Sequence, residues 1–437
     1  MFRYYLRLAL LSYKRNPILS SLMVLAIAMG IGACMTTITV NYIMSSDPIP
    51  QKSEQLFYVQ LDSWDPNSPA REPNDPPDQV TWTDATNLMK AKQAFRQSAM
   101  ARSGGVVEPE NGDSKPFMTD IRLAYSDFFA MFNVPFQYGS GWDSQSDDNR
   151  DMVVVISRAM NDQLFGGENS VGKTVRLAGH NFRVVGVLKE WRLVPRFYDV
   201  TTGAFDNTED FYMPMPLKES LELTSNGNVN CWKRPAEDGF LGFLYSECVN
   251  FQMWVELRDD AEKQAYMAFL NSYADEQRAL GRFERPNNNR LSNVMEWMAY
   301  NNVVADDAEI MLWLSLMFLL VCLLNTIGLL LAKFSGKAGE ISLRRAVGAS
   351  RRDVFMQHLV ETGLIGVIGG IAGLGLAMLG LSGIGVLYGD LANDLTSMDP
   401  KLVAIALGLA LVSSILAGLY PTWRSTRVAP ASQLKSQ

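Results

Sequence analysis

Apolar residues are concentrated in four stretches without charged side chains, residues 16–46, 310–332, 362–389 and 402–423. A helix needs about 20 apolar residues to cross the hydrocarbon core of a bilayer. The pattern therefore predicts transmembrane helices at 18–44, 310–332, 362–389 and 402–423. A cleaved signal sequence is the alternative for the first stretch. Its apolar run continues past Cys34, beyond the length of a signal core and with no polar tether for a lipid-modified cysteine, so we predict an uncleaved anchor.

The region between the first two spans, residues 45–309, has the mixed pattern of an α/β domain. Residues 249–258 alternate apolar and polar positions with the period of a half-buried strand, and residues 261–280 have helical spacing. The proline-rich acidic stretch 62–79 predicts a surface loop without regular structure. Residues 291–309 predict a helical stalk that leads into the second span.

Charge sets the predicted orientation, because Lys and Arg are enriched on the cytoplasmic side of membranes. The N-terminal helix (1–17), the loop 333–361 and the tail 424–437 together hold 13 basic and three acidic residues, whereas the whole chain has a net charge of −7. The basic residues are Arg3, Arg7, Lys14, Arg15, Lys333, Lys337, Arg344, Arg345, Arg351, Arg352, Arg424, Arg427 and Lys435. Both termini are therefore predicted to be cytoplasmic, and the loop 390–401 external. The predicted fold class is a membrane protein with four transmembrane α-helices, one before and three after a large α/β extracytoplasmic domain.

The chain has four cysteines, and two of them, Cys231 and Cys248, fall in the external domain. An oxidising compartment would permit a disulfide between them. Two separate buried thiols are the alternative, and the sequence leaves both open. Cys34 and Cys322 lie in predicted spans.

Gly167, Gly172, Lys173 and Thr174 match the phosphate-loop pattern G-x-x-x-x-G-K-[ST]. A working phosphate loop follows a strand and opens a helix, so that backbone N–H groups face the phosphates. Here a predicted helix precedes the motif and two predicted strands follow it. We therefore interpret the match as a false one, a helix-to-strand turn, and this disfavours an autonomous ATPase. The two histidines, His180 and His358, lie on opposite predicted sides of the membrane and cannot form one site. The sequence predicts no catalytic residue, cofactor or metal site. It also predicts no nucleic-acid partner.

The loop between the second and third spans has the pattern of a folded turn. Leu343, Ala346 and Val347 have helical spacing, and Gly348 can end that helix in a left-handed conformation. Ser350 follows as an N-cap with an acidic residue at the third helical position. The loop is either a passive membrane anchor or a shaped contact surface. We call residues 339–353 the elbow.

Several stretches resemble one family. GEISLRRAVGASRRDV in the elbow resembles the signature between spans two and three of FtsX-like permeases, which include the MacB type of ABC transporter permease. YPTWRSTRVAPASQLK is similar to the C-terminal pattern of that family, and LLSYKRNPILSSLMVLAIAMGIGA fits its first span. The external stretches LAYSDFFAMFNVPFQYGSGW, VVVISRAMNDQLFGGENSVGKTVRLAGHNFRVVGVL and FYMPM resemble the MacB-like periplasmic core, which carries the glycine-lysine-threonine turn without binding nucleotide there.

The resemblance implies a non-catalytic permease subunit in the bacterial inner membrane. It would dimerise with a second copy or a paralogue and transmit the motion of a separate ABC ATPase subunit to its periplasmic domain, for export towards a periplasmic adaptor and an outer-membrane duct. We expect a separate ATPase because about 16 residues precede the first span. Alternatives of the same architecture are a regulator of cell-wall hydrolases or of a signalling kinase, and lipoprotein release. The predicted ATPase-coupling residues are Glu340, Leu343, Arg344, Arg345, Gly348, Ser350, Arg351 and Arg352.

Two features of the spans predict helix packing. The third span has ten glycines, with Gly366/Gly370 and Gly369/Gly373 at four-residue spacing, and small residues at that spacing let membrane helices approach closely. Asn325 is a lone polar residue in the second span, for which we expect a hydrogen bond to another helix.

Overall fold

The computed structural model describes residues 2–109, 115–303, 306–388 and 400–426. The chain divides into two compact units, a helical unit formed by Met1–Ser45 and Val304–Gln437 and an α/β unit formed by Ser46–Val303. Most of the predicted external loop 390–401 and the tail residues from Arg427 onward lie outside the described residues.

Helices and strands are interspersed along the chain, and their bounds are as follows. The helices are α1 (Phe2–Arg15), α2 (Pro17–Ser45), α3 (Trp82–Ala91), α4 (Asp127–Met131), α5 (Ser144–Asn149), α6 (Arg158–Phe165), α7 (Val200–Gly203), α8 (Leu217–Ser220), α9 (Gly239–Leu244), α10 (Asp260–Ala279), α11 (Val294–Tyr300), α12 (Asp306–Gly336), α13 (Ala338–Ala346), α14 (Arg351–Tyr388) and α15 (Pro400–Thr426). The strands are β1 (Leu56–Gln60), β2 (Arg96–Glu108), β3 (Phe117–Ala124), β4 (Phe136–Gly139), β5 (Val153–Ile156), β6 (Thr174–Leu177), β7 (His180–Leu188), β8 (Phe211–Pro214), β9 (Asn230–Cys231), β10 (Cys248–Val249), β11 (Gln252–Glu256) and β12 (Arg290–Asn293).

Four helices of the helical unit are long and apolar enough to span a membrane, over Pro17–Ser45, Glu309–Gly336, Arg351–Gly383 and Val403–Thr426. Each contains most of one predicted span. The helices extend beyond the uncharged stretches, because charged residues can continue a helix outside the hydrocarbon core. Residues 333–336, predicted as loop, are therefore the end of α12, and the helix predicted to begin after Ser350 is confirmed as the start of α14.

The glycines of α14 pack against two different helices. A β-carbon at Gly369 or Gly373 would lie 2.8–2.9 Å from side-chain atoms of Ile27 or Ile31 in α2. A β-carbon at Gly370 would lie 2.6 Å from that of Ala410 in α15. The two glycine pairs therefore form two packing faces rather than one, and both depend on close backbone approach.

For Asn325, the described residues of this chain show no hydrogen bond to another helix. Its side chain is exposed on α12, and it does not bond any other part of the chain that the structure describes. The neighbouring polar residue Thr326 is buried and donates to the carbonyl oxygen of Cys322 in its own helix, at 2.8 Å.

The α/β unit is built on one mixed sheet. Among the described residues the sheet has ten strands in the order β12-β1-β11-β2-β3-β8-β5-β7-β4, with β6 paired to β2 and β7. Two pairs, β3/β8 and β5/β7, are parallel, and the others are antiparallel. Buried residues form two apolar clusters, and successive residues of the central strands belong to alternate clusters. Because successive side chains point to opposite faces, both faces of the sheet are covered.

The strand predicted at 249–258 is present as β10 and β11, but it is not half-buried. All five residues of β11 are buried. Its polar positions have partners on the second face: the Gln252 amide donates to Asp199 at 2.8 Å, and Glu256 forms ion pairs of 3.1 Å with Lys52 and Arg96. The polar alternation therefore marks a buried polar layer and not solvent.

The predictions for two flanking segments are correct only in part. Residues 62–79 contain no helix or strand, but Asp62 and Ser63 at one end and Gln79 at the other are buried. Residues 291–293 belong to β12, and α11 covers only Val294–Tyr300. Pairing of β12 with β1 replaces the first turn of the predicted helical stalk. The helix predicted at 261–280 is confirmed as α10.

The two external cysteines lie on paired strands. Cys231 of β9 is directly opposite Cys248 of β10, and their sulfur atoms form a disulfide. The two cysteines are 17 positions apart in the sequence, and the segment that the disulfide closes includes α9. Cys34 and Cys322 are buried free thiols in the helical unit.

Candidate functional site

The phosphate-loop match lies in a turn that leads from a helix into a hairpin. Helix α6 ends at Phe165 with Gly166 as its C-cap, and β6 begins at Thr174, which pairs with Arg183 of β7. The backbone N–H of Gly172 donates to the carbonyl of Val184 at 2.8 Å, and that of Lys173 donates to Ser170 at 2.9 Å. These N–H groups are already bonded and no helix begins here, so the turn offers no cradle for a phosphate.

The elbow has the turn geometry that its sequence predicts. Helix α13 ends at Ala346, and Gly348 follows with a φ of +108°, a conformation that favours glycine. The backbone N–H of Asp353 donates to the Ser350 hydroxyl, and the backbone N–H of Ser350 donates to the Asp353 carboxylate, both at 3.2 Å. This reciprocal capping box starts α14. The elbow is therefore a fixed bend between two helices.

Helix α13 buries one side and exposes an apolar one. Ala338 and Ile341 are buried, whereas Leu343 is 58% exposed and Val347 is 83% exposed. Ala346 is also exposed. The three apolar residues singled out from the sequence therefore lie on the side of the elbow that the described residues leave uncovered. An exposed apolar cluster of this kind is typical of a protein interaction site.

Two arginines of the predicted contact also bond other residues of the helical unit. The Arg344 guanidinium donates to Glu340 at 2.7 Å and to Gln357 of α14 at 3.0 Å. Arg345 donates to the carbonyl of Thr426, at the end of α15, at 3.2 Å. Arg351 and Arg352, the other predicted cations, are exposed in the first turn of α14.

The sequence analysis missed the contribution of α1. The Tyr5 hydroxyl donates to the Asp353 carboxylate at 3.2 Å. A groove of about 540 Å³, which we call the elbow groove, lies between α1 and the elbow and is lined by Tyr4, Tyr5, Leu343 and Val347 among others. Tyr4 is 59% exposed. Two adjacent tyrosines in a basic amphipathic helix could have indicated this contact, but the prediction for α1 rested on its charge alone.

A buried ion cluster lies behind the elbow. The Lys333 ammonium group is 2.8 Å from the Glu361 carboxylate, and the Lys337 ammonium group is 3.4 Å from it. Lys333 and Glu361 are almost fully buried, and the Ser12 hydroxyl of α1 also donates to Glu361. Lys333 was counted from sequence as a loop charge that orients the protein. In the structure it is an interior residue that ties α12 to α14.

These features define a class of protein: a multi-pass membrane protein with one large α/β domain inserted after its first candidate span and a folded elbow before its third. Two family models match the chain. The MacB-like periplasmic core domain matches residues 20–272, and the FtsX-like permease C-terminal domain matches residues 312–430. The chain belongs to the FtsX-like, MacB-type family of ABC transporter permeases, and it is a multi-pass protein of the inner membrane.

Curated relatives are similar over much of this chain. The macrolide export ATP-binding/permease protein MacB of Bdellovibrio bacteriovorus is 22% identical over 299 residues, which cover 68% of this chain and 41% of that protein. The pyoverdine export ATP-binding/permease protein PvdT of Pseudomonas fluorescens (strain Pf0-1) is 24% identical, covering 97% of this chain and 58% of that protein. This chain thus spans about half the length of these relatives. The crystallised periplasmic region of MacB from Actinobacillus actinomycetemcomitans is 15% identical, covers 59% of this chain and 96% of that one, and has a TM-score of 0.37.

Proposed function

We propose that this protein is the non-catalytic permease subunit of an ABC exporter and that the elbow receives the motion of an ABC ATPase. The main observation in support is an exposed apolar cluster on a rigid bend next to the membrane helices, formed by Leu343, Ala346 and Val347. An apolar cluster on a fixed element can bind a groove of a partner with little loss of conformational entropy. The proposed partner is a separate ABC ATPase subunit.

Internal bonds support a mechanical role for the elbow. Arg344 links α13 to α14, and Arg345 links it to the end of α15. Tyr5 links α1 to the same bend. A push on α13 would therefore act on three further helices at once. The packing of α14 against α2 and α15 through its glycines would pass that push along the membrane helices.

The remaining parts of the proposal follow from the relatives. Their names describe export of macrolides and of pyoverdine, and we propose export from the periplasm for this chain as well. A second permease copy or paralogue would complete the transporter, and a periplasmic adaptor and an outer-membrane duct would receive the substrate. The basic residues of α1 and the elbow favour a cytoplasmic position for both.

Site-specific photo-crosslinking tests the ATPase contact. A photoreactive amino acid at Val347 should crosslink to an ATP-hydrolysing protein in native membranes, because this side chain is 83% exposed at the centre of the proposed contact. The matched control is Leu379, which is 70% exposed within the α14 span and should not crosslink to that protein. Equal crosslinking at both positions, or none at Val347, would show that the elbow is not the ATPase contact.

A further inference from the structure

A small cavity separate from the elbow groove lies between α1, α13 and α14. Its volume is about 90 Å³, and its lining includes Ser12, Arg15, Lys337 and Arg344, with Leu8 and Leu11 on its apolar side. We call it the basic pocket. It shares Arg344 with the elbow groove, but neither Leu343 nor Val347 lines it.

The basic pocket lies where the chain enters the membrane. Arg15 is two residues before the first candidate span begins at Pro17, and Lys337 directly follows the last residue of the second, Gly336. Helix α1 also exposes apolar residues beside its basic ones, since Leu10 and Leu11 are each 49% exposed. A basic helix with exposed leucines is typical of a helix that lies in the membrane interface. The pocket is therefore at the depth of lipid headgroups.

Positive charge exceeds negative charge around the pocket. Three cations (Arg15, Lys337 and Arg344) and one carboxylate, Glu340, line the pocket, and the ion pair of Lys333 with Glu361 lies next to it. Both carboxylates are already engaged. Glu340 is 2.7 Å from Arg344 and 3.7 Å from Arg15, and Glu361 is 2.8 Å from Lys333 and 3.4 Å from Lys337. Two positive charges remain unbalanced in a partly buried site, and this surplus would be neutralised by an anion.

We propose that the basic pocket binds the phosphate group of an anionic phospholipid headgroup. The cavity can hold one phosphate group, and Arg15, Lys337 and Arg344 supply N–H donors, the chemistry that proteins use for phosphate. Basic pockets beside membrane helices bind anionic headgroups in the same way. Leu8 and Leu11 would contact the first methylene groups of the lipid. A bound headgroup would bridge α1 to α13, so the lipid would stiffen the elbow.

Native mass spectrometry of the full chain in detergent tests this proposal. Phosphatidylglycerol should be retained in preference to phosphatidylcholine. Arg15→Gln and Lys337→Gln should each weaken retention of phosphatidylglycerol by about tenfold, as expected for the loss of one hydrogen bond between charged groups. Arg7→Gln is the matched control, because Arg7 is an exposed cation of α1 that does not line the pocket. It should change retention by less than about twofold, because an exposed charge that does not touch the headgroup is screened by salt.

Each other outcome would overturn the proposal. Equal losses in Arg7→Gln and Arg15→Gln would mean that only the general surface charge attracts the lipid. Displacement of phosphatidylglycerol by inorganic phosphate alone would mean that the pocket binds a free anion rather than a lipid. Arg15 is 73% exposed, so Arg15→Gln leaves the interior intact and remains informative even where Lys337→Gln disturbs the bonds to Glu361.

Discussion

Replacing Leu343 by aspartate is expected to release the ATPase partner, with a loss of about 30-fold in affinity, as for a residue at the centre of an interface. The substitution would place a charge in an apolar contact. Leu343 is 58% exposed in this chain, so the fold and membrane insertion should be unaffected. The measurement is the ATPase activity that co-purifies with each variant from native membranes.

The matched control is Leu343→Met, which keeps an apolar side chain of similar volume and should keep the partner bound. Two results would contradict the expectation. One is full co-purification with Leu343→Asp. The other is loss of the partner with both variants, which would point to a steric requirement rather than an apolar contact.

Glu209→Gln is expected to destabilise the α/β unit by about 3–5 kcal/mol, the usual effect of breaking a buried ion pair. The Glu209 carboxylate is fully buried, accepts from Arg122, and is 3.1 Å from Arg196. Asp199, also fully buried, is 2.6 Å from Arg122. The substitution leaves two buried guanidinium groups with one buried carboxylate, that of Asp199. The measurement is the thermal unfolding of the α/β unit within the full chain.

Glu209 also makes the stability of the α/β unit depend on pH in a predictable direction. Burial alone would raise the pKa of Glu209, but the guanidinium groups of Arg122 and Arg196 outweigh it and lower that pKa to about 2. A carboxylate whose pKa is lowered by folding stabilises the folded state above its ordinary pKa of 4.5. That stability is lost as the pH falls from about 4.5 towards about 2. Glu209→Gln should therefore flatten the pH dependence in this interval.

Asp206→Asn is the matched control for Glu209→Gln. Asp206 is 3.6 Å from the same Arg196, but it is 51% exposed. An exposed ion pair contributes at most about 1 kcal/mol, so the control should unfold nearly as the wild type does. Similar losses in the two variants would mean that burial of the cluster is not what stabilises it.

The conformation of the elbow could be predicted from the sequence because it depends on residues that are neighbours in the chain. A glycine with positive φ and a capping box are decided by neighbouring residues, and Gly348, Ser350 and Asp353 take the predicted conformations. The four apolar spans follow from composition for the same reason.

Contacts between distant segments could not be predicted from this sequence. The alternation in β11 gave its faces correctly, but whether the polar face meets solvent depends on residues such as Asp199 and Arg96, far away in the chain. Lys333 was assigned to a solvated loop because its partner Glu361 is 28 residues away on another helix. The elbow groove forms where α1 lies against the elbow, with Tyr5 bonded to Asp353, 348 residues away in the sequence. Each of these depends on tertiary packing.

A substitution at Gly348 can distinguish binding of the ATPase from transmission of its motion. Valine at a φ of +108° is strained, by about 1–3 kcal/mol, while no atom outside the turn would obstruct its β-carbon. Gly348→Val should therefore change the angle of the elbow and leave its apolar contact in place. Gly339→Ala is the matched control, because Gly339 has no left-handed conformation and open space around it.

The most direct test is the hydrogen exchange of backbone amides in residues 46–303 of the purified complex, measured with and without ATP. In the wild type and in Gly339→Ala, ATP should change the exchange of this unit. In Gly348→Val, ATP should still be hydrolysed but the exchange should stay at its ATP-free level. An ATP-dependent change that survives in Gly348→Val, or its absence in the wild type, would contradict transmission of ATPase motion through the elbow.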